Sequence, residues 1–532
     1  MGSSFMTRRD FLRTSALTLS LSALPSFRDL PRVDAATGLG FLAGVNYPWI
    51  AYGHDFGENG WGHDGLITNG WTFQTSAGSQ GFTDTRRSTE QAHNGVASLR
   101  ITADLVGQDP SKSRGEVYVD LRTHRPPGVA VPLNLASVPV TCWVHLPLGS
   151  AGWLSAPNGV QLFFKSDGWW SWYSSWQNIQ PAWEGNWVRL RVNLSAPPAF
   201  ADPQFNPTKV IALGLKVAIN QLSTATLQGP IYLDDYVLAT KPSITFDFEQ
   251  LEVERDFSTV AQAIGKCFTR VVRVFVFTDG RATPDFSPTG EVAGLDEYVF
   301  QDFDALLAAA TKYSLLVIPA LVDFSWCDSA TFEGGVQLGG HSDIIRDPVK
   351  RQTFLDRALT PLIQRYCSHP QILAWEVINE PEWAMVGVPA TPLVGDPVTI
   401  AEMQDFVRAC AATIHTSCAF SQVTVGSARR KWLVYWQGQG LDLYQFHWYD
   451  HFAAEEPFPW PPYAELGLDK PCFIGEVPTA STQHSTTDYL QAACAGGYQG
   501  LLVWSYRGSD QFSNFSAASQ PLKNWCANPA CR

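Results

Sequence analysis

From residue 244 onward the chain repeats one unit, a short apolar run followed by a stretch with apolar residues three and four apart. That rhythm predicts strand–helix–strand crossovers and a parallel sheet, because strands rich in Val, Ile and Leu must be covered on both faces. Seven such runs fall at residues 271–277, 315–321, 372–378, 423–426, 443–448, 472–476 and 501–505, with helices predicted at 302–313, 348–366 and 400–416. A closed barrel needs eight strands. The missing one lies far upstream at residues 41–47, in Gly44-Val45-Asn46-Tyr47-Pro48. The expected fold class is therefore α/β, a (β/α)8 TIM barrel whose first strand is split from the other seven.

The residues between have another character, with short alternating strands, turn residues, dense aromatics and little helical periodicity over 67–240. Residues 94–101, 187–194 and 231–238 alternate at period two, which predicts an inserted all-β domain of the jelly-roll or sandwich kind, burying alternate side chains between two sheets. The small residues before Leu99, the strand Trp187-Val188-Arg189-Leu190 and the closing Tyr232-Leu233-Asp234-Asp235-Tyr236 resemble a carbohydrate-binding module. An insertion after the first barrel strand would lie beside the cleft, since the loops after barrel strands form the active face. Of the 20 Trp, those at Trp170, Trp172 and Trp176 are expected to offer a sugar platform, with a buried aromatic core as the competing reading. The expected domains are 1–36, an export signal; 37–66, the first barrel strand and its loop; 67–240, the inserted domain; and 241–532, the rest of the barrel.

Thr7-Arg8-Arg9-Asp10-Phe11-Leu12-Arg13 precedes an apolar stretch, 16–24, too short for a membrane span. It resembles a twin-arginine export signal, which implies a secreted or periplasmic protein. A net charge of −13 with no Lys/Arg stripe argues against nucleic acid as a partner, and no apolar run is long enough to cross a bilayer. The ten Cys are scattered without a Cys-x-x-Cys pair, against a zinc ribbon or thioredoxin-type centre, and Cys526 and Cys531 are candidates to close a C-terminal loop.

Trp375-Glu376-Val377-Ile378-Asn379-Glu380-Pro381 runs an apolar strand straight into an acid and a strand-ending Pro, and Phe473-Ile474-Gly475-Glu476-Val477-Pro478 does the same three strands later. Barrel enzymes carry their catalytic groups at such strand ends, so the two glutamates are expected to face each other. On these motifs the chain resembles clan A glycoside hydrolases, closest to family 5. The resemblance implies that Glu380 is the acid/base and Glu476 the nucleophile of a retaining β-glycosidase. It also implies substrate-binding roles for Arg273, Asn379, His447, Tyr449 and Trp504; Trp326 is a further expected substrate-binding residue, and the loops around Trp326, Trp383 and Trp436 are expected to set which sugar is taken. Arg273 and Tyr449 should favour an anionic Glu476, while its charge and partial burial should raise Glu380.

Glu376, inside the strand, and Glu382, past the Pro, are weaker candidate acids. His54, Asp55, His63 and Asp64 match no metal-ligand spacing, so no metal is expected, and the chemistry needs no cofactor. A structural calcium ion in the inserted domain would be compatible with it. The expected partner is a β-linked oligo- or polysaccharide, glucan, mannan or related, acted on by a monomer. The alternatives are a non-catalytic carbohydrate-binding protein and a transglycosylase using the same covalent intermediate.

Overall fold

The computed structural model describes residues 40–58, 63, 65–74, 78–126, 129–220, 224–265, 269–333, 335–508 and 510–527. The export motif, Asp64 and Cys531 lie outside them. Eight parallel strands close into a barrel: Leu42–Asn46, Arg270–Phe275, Leu316–Asp323, Trp375–Asn379, Val423–Ser427, Tyr444–His447, Cys472–Pro478 and Gly500–Trp504. All eight were legible as apolar runs. The split first strand pairs with the second on one side and the eighth on the other. Gly44 fits there because a Cβ would lie 2.2 Å from the Val271 carbonyl oxygen, so this layer of the barrel admits no side chain.

The helices follow their caps. Asp296 accepts the Val299 amide ahead of Glu297–Tyr313, and Thr399 forms a reciprocal box with Glu402 ahead of Ile400–Ser417. The expected helix at 348–366 is continuous but carries a π turn over Leu355–Leu359. After the fifth and sixth strands the described residues make 3-10 turns in place of α-helices. No helix among the described residues is long and apolar enough to cross a membrane.

Between the first strand and the helix Glu252–Ile264 lie two antiparallel sheets. One runs Phe200–Ala201, Trp170–Tyr173, Gly159–Ser166, Val210–Ala218, Arg114–Asp120, Trp71–Phe73; the other Trp187–Asn193, Pro139–His145, Thr226–Leu238, Ser98–Val106, Phe82–Ser88. Their inner faces meet in an apolar core that includes Leu99, Ile101, Val117, Leu162, Phe164, Leu213 and Leu233. The last antiparallel strand, Ile244–Phe246, falls just past residue 240. The sandwich is tied to the barrel by a buried polar contact, His124 Nδ1 lying 2.9 Å from Glu252 of the helix Glu252–Ile264. Cys367 and Cys418 form a disulfide, Cys494 and Cys526 are also disulfide-bonded, and Cys142, Cys327, Cys410 and Cys472 are buried thiols.

Candidate active site

Strands four and seven deliver Glu380 and Glu476 to the same end of the barrel. One oxygen of each carboxylate and a His447 ring nitrogen lie within 4.8 Å of one another. Glu380 leaves its strand in the left-handed region (φ 45°), a conformation an ordinary L residue adopts only when its surroundings impose it. Its side chain is 18 % exposed, with Oε1 2.8 Å from His447 Nδ1 and Oε2 accepting from Trp383 Nε1 at 2.9 Å. Glu476 is more deeply set, accepting from Arg273 at 2.7 Å and from the Tyr449 hydroxyl at 2.6 Å.

Arg273 organises the floor. Nε and Nη2 donate to Glu376 at 2.6 Å, Nη1 to Glu476 and Asn46, and Nη2 also to Asn379. These five bonds use all five guanidinium N–H groups, and the side chain is fully buried. Arg273 therefore does not reach a sugar, against the expectation from sequence; it holds Glu476. His447 is corrected in the same way, since it is fully buried with its Nδ1 2.8 Å from Glu380 and 3.5 Å from Glu476. Glu376, the in-strand acid, is the counter-charge of Arg273. A Cβ on Gly426 would lie 2.4 Å from Glu376 Oε1, so glycine at the fifth strand end makes room for the pair. Glu382 is buried elsewhere, accepting from Ser427, Ala428 and Trp436.

Burial pushes Glu380 up to about 7. It raises Glu476 as well, opposed there by His447, Arg273 and the Tyr449 hydroxyl. The same burial lowers His447 to about 4, so its imidazole is neutral at neutral pH. Arg273 is held above its ordinary value: burial works against its charge, but Glu376 and Glu476 outweigh it. One acid of the pair is thus protonated near neutrality while the other keeps its hydrogen-bond donors.

Above the pair opens a cleft of about 440 Å³ whose walls include Trp49, Tyr52, Phe275, Asp323, Phe324, Asn379, Trp383, Tyr449, Phe512 and Trp504. Trp504 is fixed by its indole bond to Asp510 at 2.7 Å. Asn379 accepts from Arg273 and donates to Asp323 at 2.7 Å, which leaves one amide N–H outside these bonds in a residue that lines the cleft. Asp323 and Phe324 were not picked out from sequence; their placement at the end of the third strand was the available signal.

Trp326 does not line the cleft. Asp323 caps a 3-10 turn over Phe324–Cys327, which sends Phe324 to the cleft and buries Trp326 against Phe286, His341 and Phe354. Trp436 is also core. In the sandwich, Trp172 faces inward because it opposes Phe164, a core residue, and its ring packs there. Trp170 and Trp176 are exposed, at 39 % and 38 %. Of the four residues weighed as metal ligands, Asp55 accepts the Ile50 and Ala51 amides and His63 lies 3.2 Å from Asp302, away from the cleft.

No family model matches the chain. It is 27% identical over 293 residues to the mannan endo-1,4-beta-mannosidase of Mytilus edulis, covering 48% of this chain and 77% of that protein. It is 26% identical over 298 residues to the mannan endo-1,4-beta-mannosidase of Cryptopygus antarcticus, covering 47% and 74%. Among solved structures, the endo-1,4-beta-mannanase from Eisenia fetida aligns at TM-score 0.45 with 23% identity, over 52% of this chain and 83% of that one.

Proposed function

We propose that this chain is a β-glycoside hydrolase of the clan A, family 5-like kind, that it is exported, and that it cleaves β-1,4-mannan within the polymer with retention of anomeric configuration. What carries this reading is the meeting of two strand-end carboxylates around one neutral histidine at the floor of an aromatic cleft. Retaining glycosidases need carboxyl groups about 5 Å apart, whereas inverting ones leave about 6.5–9.5 Å for a water. Mannan is favoured because the named relatives are mannan endo-1,4-beta-mannosidases aligned over most of their length. Residues 67–240 are read as an inserted module and 1–36 as the export signal.

Glu476, held by Arg273 and Tyr449, attacks the anomeric carbon while Glu380 gives its proton to the departing oxygen. The bond from the anomeric carbon to that oxygen breaks as the Glu476 ester forms. Esterification removes the Glu476 charge, so Glu380 becomes the stronger acid and its carboxylate can take a proton from the water that cleaves the ester. The free Asn379 N–H would meet the sugar 2-hydroxyl, and Trp504 would stack under the ring.

Turnover of a β-mannan, β-glucan and xylan panel, with product anomers followed by NMR, tests this. Mannan fragments appearing first as the β-anomer are expected. First-formed α-anomer would remove the double-displacement reading, and turnover of glucan alone would remove mannan.

A further inference from the structure

Two side-chain amides accept from Arg273, and they differ in what each has left over. Asn46, at the end of the first barrel strand, takes Nη1 at 2.8 Å and gives away both of its own amide hydrogens, to the Gly475 carbonyl at 2.9 Å and the Val503 carbonyl at 3.3 Å. It is wholly occupied in closing the barrel. Asn379 takes Nη2 at 2.7 Å and gives one hydrogen to Asp323 Oδ2, also at 2.7 Å. Its second hydrogen lies outside these bonds, and the residue lines the cleft together with Glu380 and Glu476.

Asp323 decides which way that amide is turned. The third and fourth barrel strands pair in parallel with Asp323 in register with Asn379, so the amide is gripped by a carboxylate at its nitrogen and a guanidinium at its oxygen. Half a turn of the amide would bring its NH2 against the Arg273 N–H and its oxygen against a carboxylate oxygen, two repulsive contacts in place of two charge-assisted bonds. With the guanidinium alone, the oxygen is held and the nitrogen end is not. The partner has to be an acid, because Oδ1 of Asp323 also accepts the Ser325 amide at 3.0 Å, capping the 3-10 turn Phe324–Cys327. An asparagine there has one accepting oxygen and would turn its NH2 toward one of these two donors. Asp323 is 9 % exposed and Asn379 6 %, so water competes little for the bond between them.

We infer that Asp323 is a positioning residue for the glycosidase reaction, holding the Asn379 amide so that its remaining N–H points at the 2-hydroxyl oxygen of the sugar at the cleaved bond. This rests on the retaining-glycosidase reading given above. The 2-hydroxyl contact strengthens as the oxocarbenium-like transition state forms, so an amide free to swing gives up rate at the bond-breaking step. Asp323 thus acts through Asn379, and its effect exists only when the sugar carries a 2-hydroxyl. Its negative charge also adds to the upward pull of burial on Glu380, an influence that is the same whether or not the 2-hydroxyl is present.

The test measures kcat/KM of the full chain for nitrophenol release from a 4-nitrophenyl β-1,4-mannotrioside, from its glucose counterpart, and from each with the 2-hydroxyl of the nitrophenyl-bearing sugar removed. On the trioside that the parent cleaves, Asp323→Asn and Asp323→Ala should each lose about tenfold to a hundredfold, and on its 2-deoxy form less than about threefold. Asn379→Ala should show the same split, and adding Asp323→Asn to it should cost little more. Equal losses on the two forms, as a disturbed fold or an altered charge at Glu380 would give, overturn the proposal. So does no loss on either form, or a double variant whose losses multiply. A parent that cleaves none of the four glycosides, or a Glu476→Ala variant as active as the parent, removes the glycosidase reading and this proposal with it.

Discussion

Arg273 and Arg507 each sit between two acids near the C-terminal rim of the barrel, and one carboxyl near each, Glu380 and Glu252, is moved in the opposite direction. Arg507 bonds Glu252 and Asp256 where the helix after the sandwich begins, and His124 of the sandwich completes the cluster. Burial would raise Glu252, but Arg507 and His124 outweigh it and pull that carboxyl down to about 2. At the other arginine, Glu380 rises to about 7 although Arg273 is near. Both acids are sheltered from water, so burial alone does not decide the direction. Contact with a guanidinium does not decide it alone either, since Glu476 accepts from Arg273 and Asp256 from Arg507 and both are raised; Glu252 differs in that Arg507 and His124 together outweigh its burial, whereas Arg273 spends all five N–H groups on Glu376, Glu476, Asn46 and Asn379 and none on Glu380. One cluster fastens two parts of the fold; the other keeps a proton available for transfer.

The comparison is broken most decisively at Glu476. Glu476→Ala should lower kcat/KM on β-mannan by about 10⁴-fold or more in a reducing-sugar assay, with azide restoring turnover as an α-glycosyl azide. A loss under about tenfold would remove Glu476 from the chemistry. Arg273→Met should cost about 3–5 kcal/mol in urea unfolding, because it strands Glu376 and Glu476 without their counter-charge. Glu252→Gln should cost about 1.5–3 kcal/mol while leaving kcat as it was. The sign follows from the lowered carboxyl: its contribution is full above the ordinary value of 4.5 and is lost as pH falls toward about 2. Parent and Glu252→Gln stabilities should therefore converge in acid.

The pH profile sharpens the other half. Glu380 must carry a proton to act as an acid, and it is protonated below about 7, so kcat/KM should fall about tenfold per unit above that pH. A flat profile to pH 9 would mean that another group supplies the proton. The smallest effect is expected for Trp326→Phe, a loss of about 1–2 kcal/mol at its packed site and no change in KM for mannan oligosaccharides. A several-fold rise in KM would return Trp326 to the cleft.

The barrel was legible because its strands are near-continuous apolar runs and its two glutamates stand at strand ends, where spacing alone fixes the rim. Roles inside the rim were not. Glu376 and Arg273 read as a weak acid and a sugar ligand, since nothing in the spacing tells that a guanidinium has exhausted its donors on neighbouring strands. Trp326 misled for a local reason, because a capped 3-10 turn advances the chain so that Phe324 takes the cleft. Trp172 misled through register: it opposes Phe164, and which face of a short strand is buried is fixed by its partner.

The split first strand carries a consequence for how the molecule is made. Leu42–Asn46 pairs with Arg270–Phe275 on one side and Gly500–Trp504 on the other. As the chain leaves the ribosome, the sandwich is complete before the second barrel strand exists, and the first strand waits beside a finished neighbour with both its edges unpaired. Only the last strand to be synthesised removes the final open edge, so such high contact order predicts slow barrel closure and a nascent chain that needs shielding until translation is nearly done.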